Sequence, residues 1–108
     1  MSDNQTSDNQ TSDSLSNPDA FKVIESAFNR GFTIRFGNGV IASVRFGDVN
    51  YSDHGRTTAE FAAFRDNGEW VMINGEEVTR AQTPEEVAYL LSRVSMLHQA
   101  AGEFYTNE

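Results

Sequence analysis

Hydrophobic positions along this chain change period more than once. From residue 17 to 30, Phe21, Ile24, Ala27 and Phe28 recur at i, i+3, i+6 and i+7, the spacing of one helix face. Asn17 suits an N-cap, Pro18 suits the first helical position, and Gly31 stands where a glycine stop belongs. A second helical stripe, Val87, Leu90, Leu91, Val94 and Leu97, follows Thr83-Pro84-Glu85-Glu86. That opening is a capping box with proline at the first position and acid in the first turn. The pattern predicts a helix at each end of the folded part, the second fraying near Gly102.

Between the two stripes the period drops to two, and Asn-Gly pairs at 38–39, 67–68 and 74–75 punctuate it, the chemistry of tight hairpins. A two-residue turn at Asn38-Gly39 would set Phe32 opposite Arg45. A three-residue Gly37-Asn38-Gly39 turn instead pairs Phe36 with Val40, Ile34 with Ala42 and Phe32 with Val44, leaving Thr33, Arg35, Ile41 and Ser43 on the other face. The cleaner alternation selects the three-residue turn. The same logic at Asp66-Asn67-Gly68 pairs Phe64 with Trp70, Ala63 with Val71, Ala62 with Met72 and Phe61 with Ile73, with Arg65 and Glu69 as a cross-strand ion pair. Both faces of this second hairpin are apolar and need cover, from helices divided between the faces, from residues 76–82, or from a second subunit against the Trp70 face.

The expected fold class is α+β: an N-terminal helix, a four-stranded antiparallel meander with room for a short fifth strand near residues 77–80, and a C-terminal helix. Residues 17–108 form one such domain. Residues 1–16 read as a disordered tail, because Ser-Asp-Asn-Gln-Thr repeats there with no apolar residue between Met1 and Leu15, so ordering it buries nothing in return.

Charge and composition narrow the function classes. Three of the eight net negative charges sit in the first seventeen residues, leaving −5 for the rest. That balance disfavours direct nucleic-acid binding. With no cysteine and two histidines, His54 and His98, disulfides and thiolate zinc sites are excluded. No apolar run is long enough for a membrane helix, and the polar N-terminus lacks a basic-then-apolar leader. The expected location is the inside of a cell.

One connection is unusually long. Residues 47–56 run about ten residues, against two to five for most hairpin loops. It carries Asn50, Tyr51, His54 and Arg56, with Asp48 and Asp53. A metal reading is thin, since Asp53 and His54 are adjacent and point apart in an extended segment. Ser52, Asp53 and His54 cannot form a triad, because three successive residues cannot align nucleophile, base and orienter. Arg35 and Arg45, on the face opposite the first hairpin's core, can join Tyr51, His54 and Arg56 in holding a phosphate-bearing molecule. No catalytic residue, cofactor or metal is expected, and the chain is not read as an enzyme.

Phe36-Gly37-Asn38-Gly39, Ser43-Val44-Arg45-Phe46-Gly47 and Asn50-Tyr51 together resemble a block in small, mostly uncharacterised proteins encoded by tailed bacteriophages. The block has the form F-x-N-G, three residues, S-V-x-F-G, two residues, N-Y. Ala59-Glu60 with Phe64, the D-N-G turn and Thr-Pro-Glu-Glu-Val extend the resemblance over residues 32–94. Members carry a cysteine after N-Y where this chain has Ser52, so a thiol role does not carry over. The resemblance implies a phage accessory gene expressed in the cytoplasm of the infected bacterium. The expected function is therefore binding, to a host protein or defence component, with homo-oligomerisation a further expectation. The alternative is a sponge for a nucleotide signal, using Arg35, Arg45, Arg56 and Tyr51.

Overall fold

The computed structural model describes residues 20–26, 28–47 and 57–106. These form one mostly β fold: β1 (Phe21–Glu25), β2 (Arg30–Arg35), β3 (Val40–Arg45), β4 (Ala59–Arg65), β5 (Trp70–Ile73), β6 (Val78–Gln82), the single helix α1 (Pro84–Ser95) and β7 (Glu103–Phe104). The strands make one sheet in the order β1-β2-β3-β4-β5-β7, with β6 also on β4. All pairings are antiparallel except β5 with β7.

The α+β expectation with a helix at each end is overturned. Phe21–Glu25 is a strand, paired along its whole length with β2 from Phe21↔Ile34 to Glu25↔Arg30. Phe-Lys-Val-Ile-Glu satisfies the helical i, i+3 spacing, but it also places three strand-favouring side chains in five positions. The free edge of β2 decides between the two. Gly31 is not a helix stop either. It lies opposite Arg45, where a Cβ would overlap the Val44 carbonyl oxygen; glycine lets the two backbones approach.

The β2–β3 hairpin has the three-residue turn and the register expected, closed by the Phe36 N–H to the Val40 carbonyl at 2.9 Å. The second hairpin keeps only its upper half, Phe64↔Trp70 and Ala63↔Val71. Asn74 and Gly75, at φ 54° and 81°, form a tight turn in which Ile73 and Glu76 exchange backbone hydrogen bonds of 2.9 and 3.0 Å. This turn extrudes residues 72–77 from the line of the strand. Met72 and Ile73 pair with β7 instead, and β6 continues along β4 with Val78 opposite Ala62 and Thr79 opposite Phe61.

Helix α1 covers one face of the sheet. Leu90 and Val94 pack on Val40, Ala42, Val44, Phe61, Ala63, Val71 and Ile73, with Phe104 closing the end. The capping box forms as its sequence dictates: the Glu86 N–H donates to Thr83 Oγ1 at 3.2 Å, and the Thr83 N–H donates to Glu86 Oε1 at 2.8 Å. The helix ends at Ser95 rather than near Gly102, because Asn38 in the first hairpin turn donates from Nδ2 to the carbonyls of Val94 and Leu97 at 2.8 and 3.0 Å. Arg65 continues that tie, its guanidinium donating to the carbonyls of Asn38, His98 and Ala101 at 3.2, 3.2 and 2.7 Å. The Arg65–Glu69 ion pair expected from sequence is replaced by this clamp.

Candidate functional site: a trough across the sheet face opposite the helix

The sheet face opposite α1 carries no helix or strand packed across it among the described residues. Cross-strand register sorts its side chains into three rows. The middle row is Lys22, Thr33, Ser43, Ala62 and Val78, one from each of β1, β2, β3, β4 and β6. Its centre is made of small side chains, with Ser43 and Ala62 at 4% and 9% exposure. One flanking row is Arg35, Ile41, Phe64 and Trp70. The other is Ile24, Gly31, Arg45 and Glu60.

Small residues between two taller rows make a trough running across the strands. Its walls stand four residues apart along each strand, or about 13 Å, and five strands give it a length of about 19 Å. Phe64 and Trp70 meet edge to face on one wall, centroids 5.9 Å apart and planes at 71°. Arg35 at that wall's end is salt-bridged to Asp66. From the other wall Arg45 leans over the floor, donating from Nε to Ser43 Oγ at 3.1 Å. Arg45 thereby parts the trough into a hollow of about 270 Å³ with Lys22, Thr33, Arg35 and Ile41, and one of about 150 Å³ with Ala62, Trp70 and Val78.

Of the residues singled out from sequence, Arg35 and Arg45 share this face as expected, at opposite ends of their strands. Their backbones stand about 13 Å apart, and both side chains line the same hollow. Asn50, Tyr51, His54 and Arg56 lie outside the described residues, as do Asp48, Ser52 and Asp53. His98 is exposed, and its Nδ1 accepts the Ala100 N–H at 3.1 Å, a local turn contact. Among the described residues no three His, Cys, Asp or Glu side chains gather in one place, and no helix is long and apolar enough to cross a membrane.

Lys22 is the site residue that sequence reasoning missed. As part of a helix it had no fixed relation to the arginines; as part of β1 it stands directly opposite Thr33 and adds a third cation to the hollow. The signal that would have found it is the alternation of Phe21, Lys22 and Val23 read as a strand. No protein-family model, curated protein or solved structure matches this chain.

Proposed function

We propose that this chain is a non-enzymatic phage accessory protein that binds a host protein or defence component, receiving an acidic segment of it in the trough. One observation carries the reading: the sheet face opposite α1 in an acidic protein assembles Lys22, Arg35 and Arg45 beside Ile41, Phe64 and Trp70. Arginine and tryptophan are the side chains that most often anchor protein interfaces. The wall backbones stand about 13 Å apart and their side chains narrow the gap, so the trough admits an extended chain, whereas a helix, about 10–12 Å across with its side chains, is too wide. The nucleotide-sponge alternative is less well supported, because Arg35 already holds Asp66.

The test is site-specific photocrosslinking in bacterial lysate. A photoreactive phenylalanine analogue at Trp70 is expected to capture a discrete adduct, lost on adding Arg45→Glu. The same analogue at Tyr89, on the helix, should capture none. Identical adducts from both positions, or an adduct indifferent to Arg45→Glu, would remove the trough from consideration.

A further inference from the structure

The sheet has three outer edges among its described strands, and two are blunted. Strand β7 offers only two residues. Strand β6 pairs with β4 through a register shift between Ala59 and Phe61 and holds Ala81 at φ 57°, a kink that spoils it as a template. Strand β1 has no such protection. It is five residues long, free of proline and bulge, and among the described residues it pairs on one side alone.

Its exposed side chains are of the wrong kind for solvent. Phe21 and Val23 point to the helix side of the sheet at 78% and 76% exposure, because α1 packs chiefly on β3, β4 and β6. The residues whose backbone groups face outward can be identified. Arg35 N–H donates to the Ala20 carbonyl, and Ser26 N–H to the Asn29 carbonyl, both at 2.9 Å. In that register residues 20, 22, 24 and 26 bond inward to β2, so the N–H and C=O groups of Phe21, Val23 and Glu25 are directed away from it.

We infer that β1 pairs antiparallel with β1 of a second copy, about a two-fold axis through Val23. In this register Val23 meets Val23 of the other chain and Phe21 meets Glu25, so every outward backbone group gains a partner. Lys22 meets Ile24, which avoids setting Lys22 against itself. The chain's own remaining segments supply a poor cover for this apolar edge. Residues 1–19 hold only Met1 and Leu15 as large apolar side chains, and residues 48–56 only Val49 and Tyr51. A second copy instead brings the same Phe21 and Val23 to the contact. This interface lies at the sheet edge and does not depend on what the trough binds.

The test is sedimentation equilibrium on the full chain across the micromolar range. The expected species is a reversible dimer, twice the 12.0 kDa of one chain. Val23→Lys sets like charges together on the axis and is expected to raise the dissociation constant at least about tenfold, whereas Trp70→Lys leaves it unchanged. Because the chain contains no cysteine, Val23→Cys is a clean second probe: it should form a disulfide dimer on mild oxidation well ahead of Tyr105→Cys. Salt gives a further sign, since each copy carries −8 and screening that repulsion should tighten the dimer. A monomeric mass throughout, a dimer unaffected by Val23→Lys, or equal oxidation rates for the two cysteine variants would each overturn the inference. Loss of the dimer in Trp70→Lys with retention in Val23→Lys would move the contact to the trough face and equally refute it.

Discussion

Replacing Arg65 by methionine is expected to be among the most costly single changes outside the apolar core. The guanidinium serves three backbone carbonyls, those of Asn38, His98 and Ala101, from a half-buried position at the end of β4. Methionine keeps the apolar stem and removes the donors. A hydrogen bond from a charged donor contributes about 1.5–3 kcal/mol, but water can reach part of this site and replace some of the loss. A net cost of about 2–3 kcal/mol follows, dominated by the 2.7 Å bond to Ala101. For a domain of this size, each kcal/mol moves the thermal midpoint by about 4–8 °C, so a fall of about 10–20 °C is expected. Urea unfolding followed by far-ultraviolet circular dichroism measures it, with Glu69→Gln alongside. If Arg65 acted through a cross-strand ion pair, as its sequence position suggests, the two substitutions would cost similar amounts. The structure requires Glu69→Gln to be near neutral. Equal losses, or a loss below about 0.5 kcal/mol for Arg65→Met, would refute the clamp.

The other expectations test the sheet, the helix and the core in turn. Gly31→Ala forces a Cβ onto the Val44 carbonyl and should cost at least about 3 kcal/mol, read as a lowered urea midpoint; a near-neutral result would contradict the close β2–β3 approach. Thr83→Ala removes one half of the capping box and should cost about 1 kcal/mol, read in the same assay. Phe61→Ala empties a position with no solvent exposure and should cost about 3–5 kcal/mol; a loss under 1 kcal/mol would mean the core is not centred there.

What could be read from sequence was what is decided locally. The Gly37-Asn38-Gly39 turn and the alternation on either side of it agree with one another, so the β2–β3 register follows from a few residues. Thr83 and Glu86 satisfy each other within one helical turn, so the helix start is equally plain. Strand β1 was not legible, because Phe21-Lys22-Val23-Ile24-Glu25 fits periods of both 3.6 and 2, and what settles it is the edge of β2, in a hairpin that comes later in the chain. Asn74-Gly75 was read correctly as a turn signal, but nothing near it says that the chain afterwards resumes the same course along β4. For the site, alternation alone put Arg35 and Arg45 on one face. The trough needed the register of five strands at once, and Lys22 was lost with the strand that carries it.

Strand β1 bears on function because it serves both proposed associations. Lys22 ends the trough floor on one face, while Phe21 and Val23 stand exposed on the other. Pairing two copies through β1 leaves the two troughs on one continuous face, joined across the two-fold axis. The register sets Lys22 beside Ile24 of the other chain, so the two floors meet offset by one row of side chains. The joined groove is then about 43 Å long by strand spacing, with a Lys22 from each chain flanking its centre. A symmetric groove with its cations toward the middle favours a partner that is itself two-fold, or one long enough to cross the axis. A single short acidic segment would meet only half of the surface, so dimerisation and partner size are coupled: Val23→Lys should weaken capture of a two-fold partner through lost avidity, while leaving a monovalent acidic peptide bound as before.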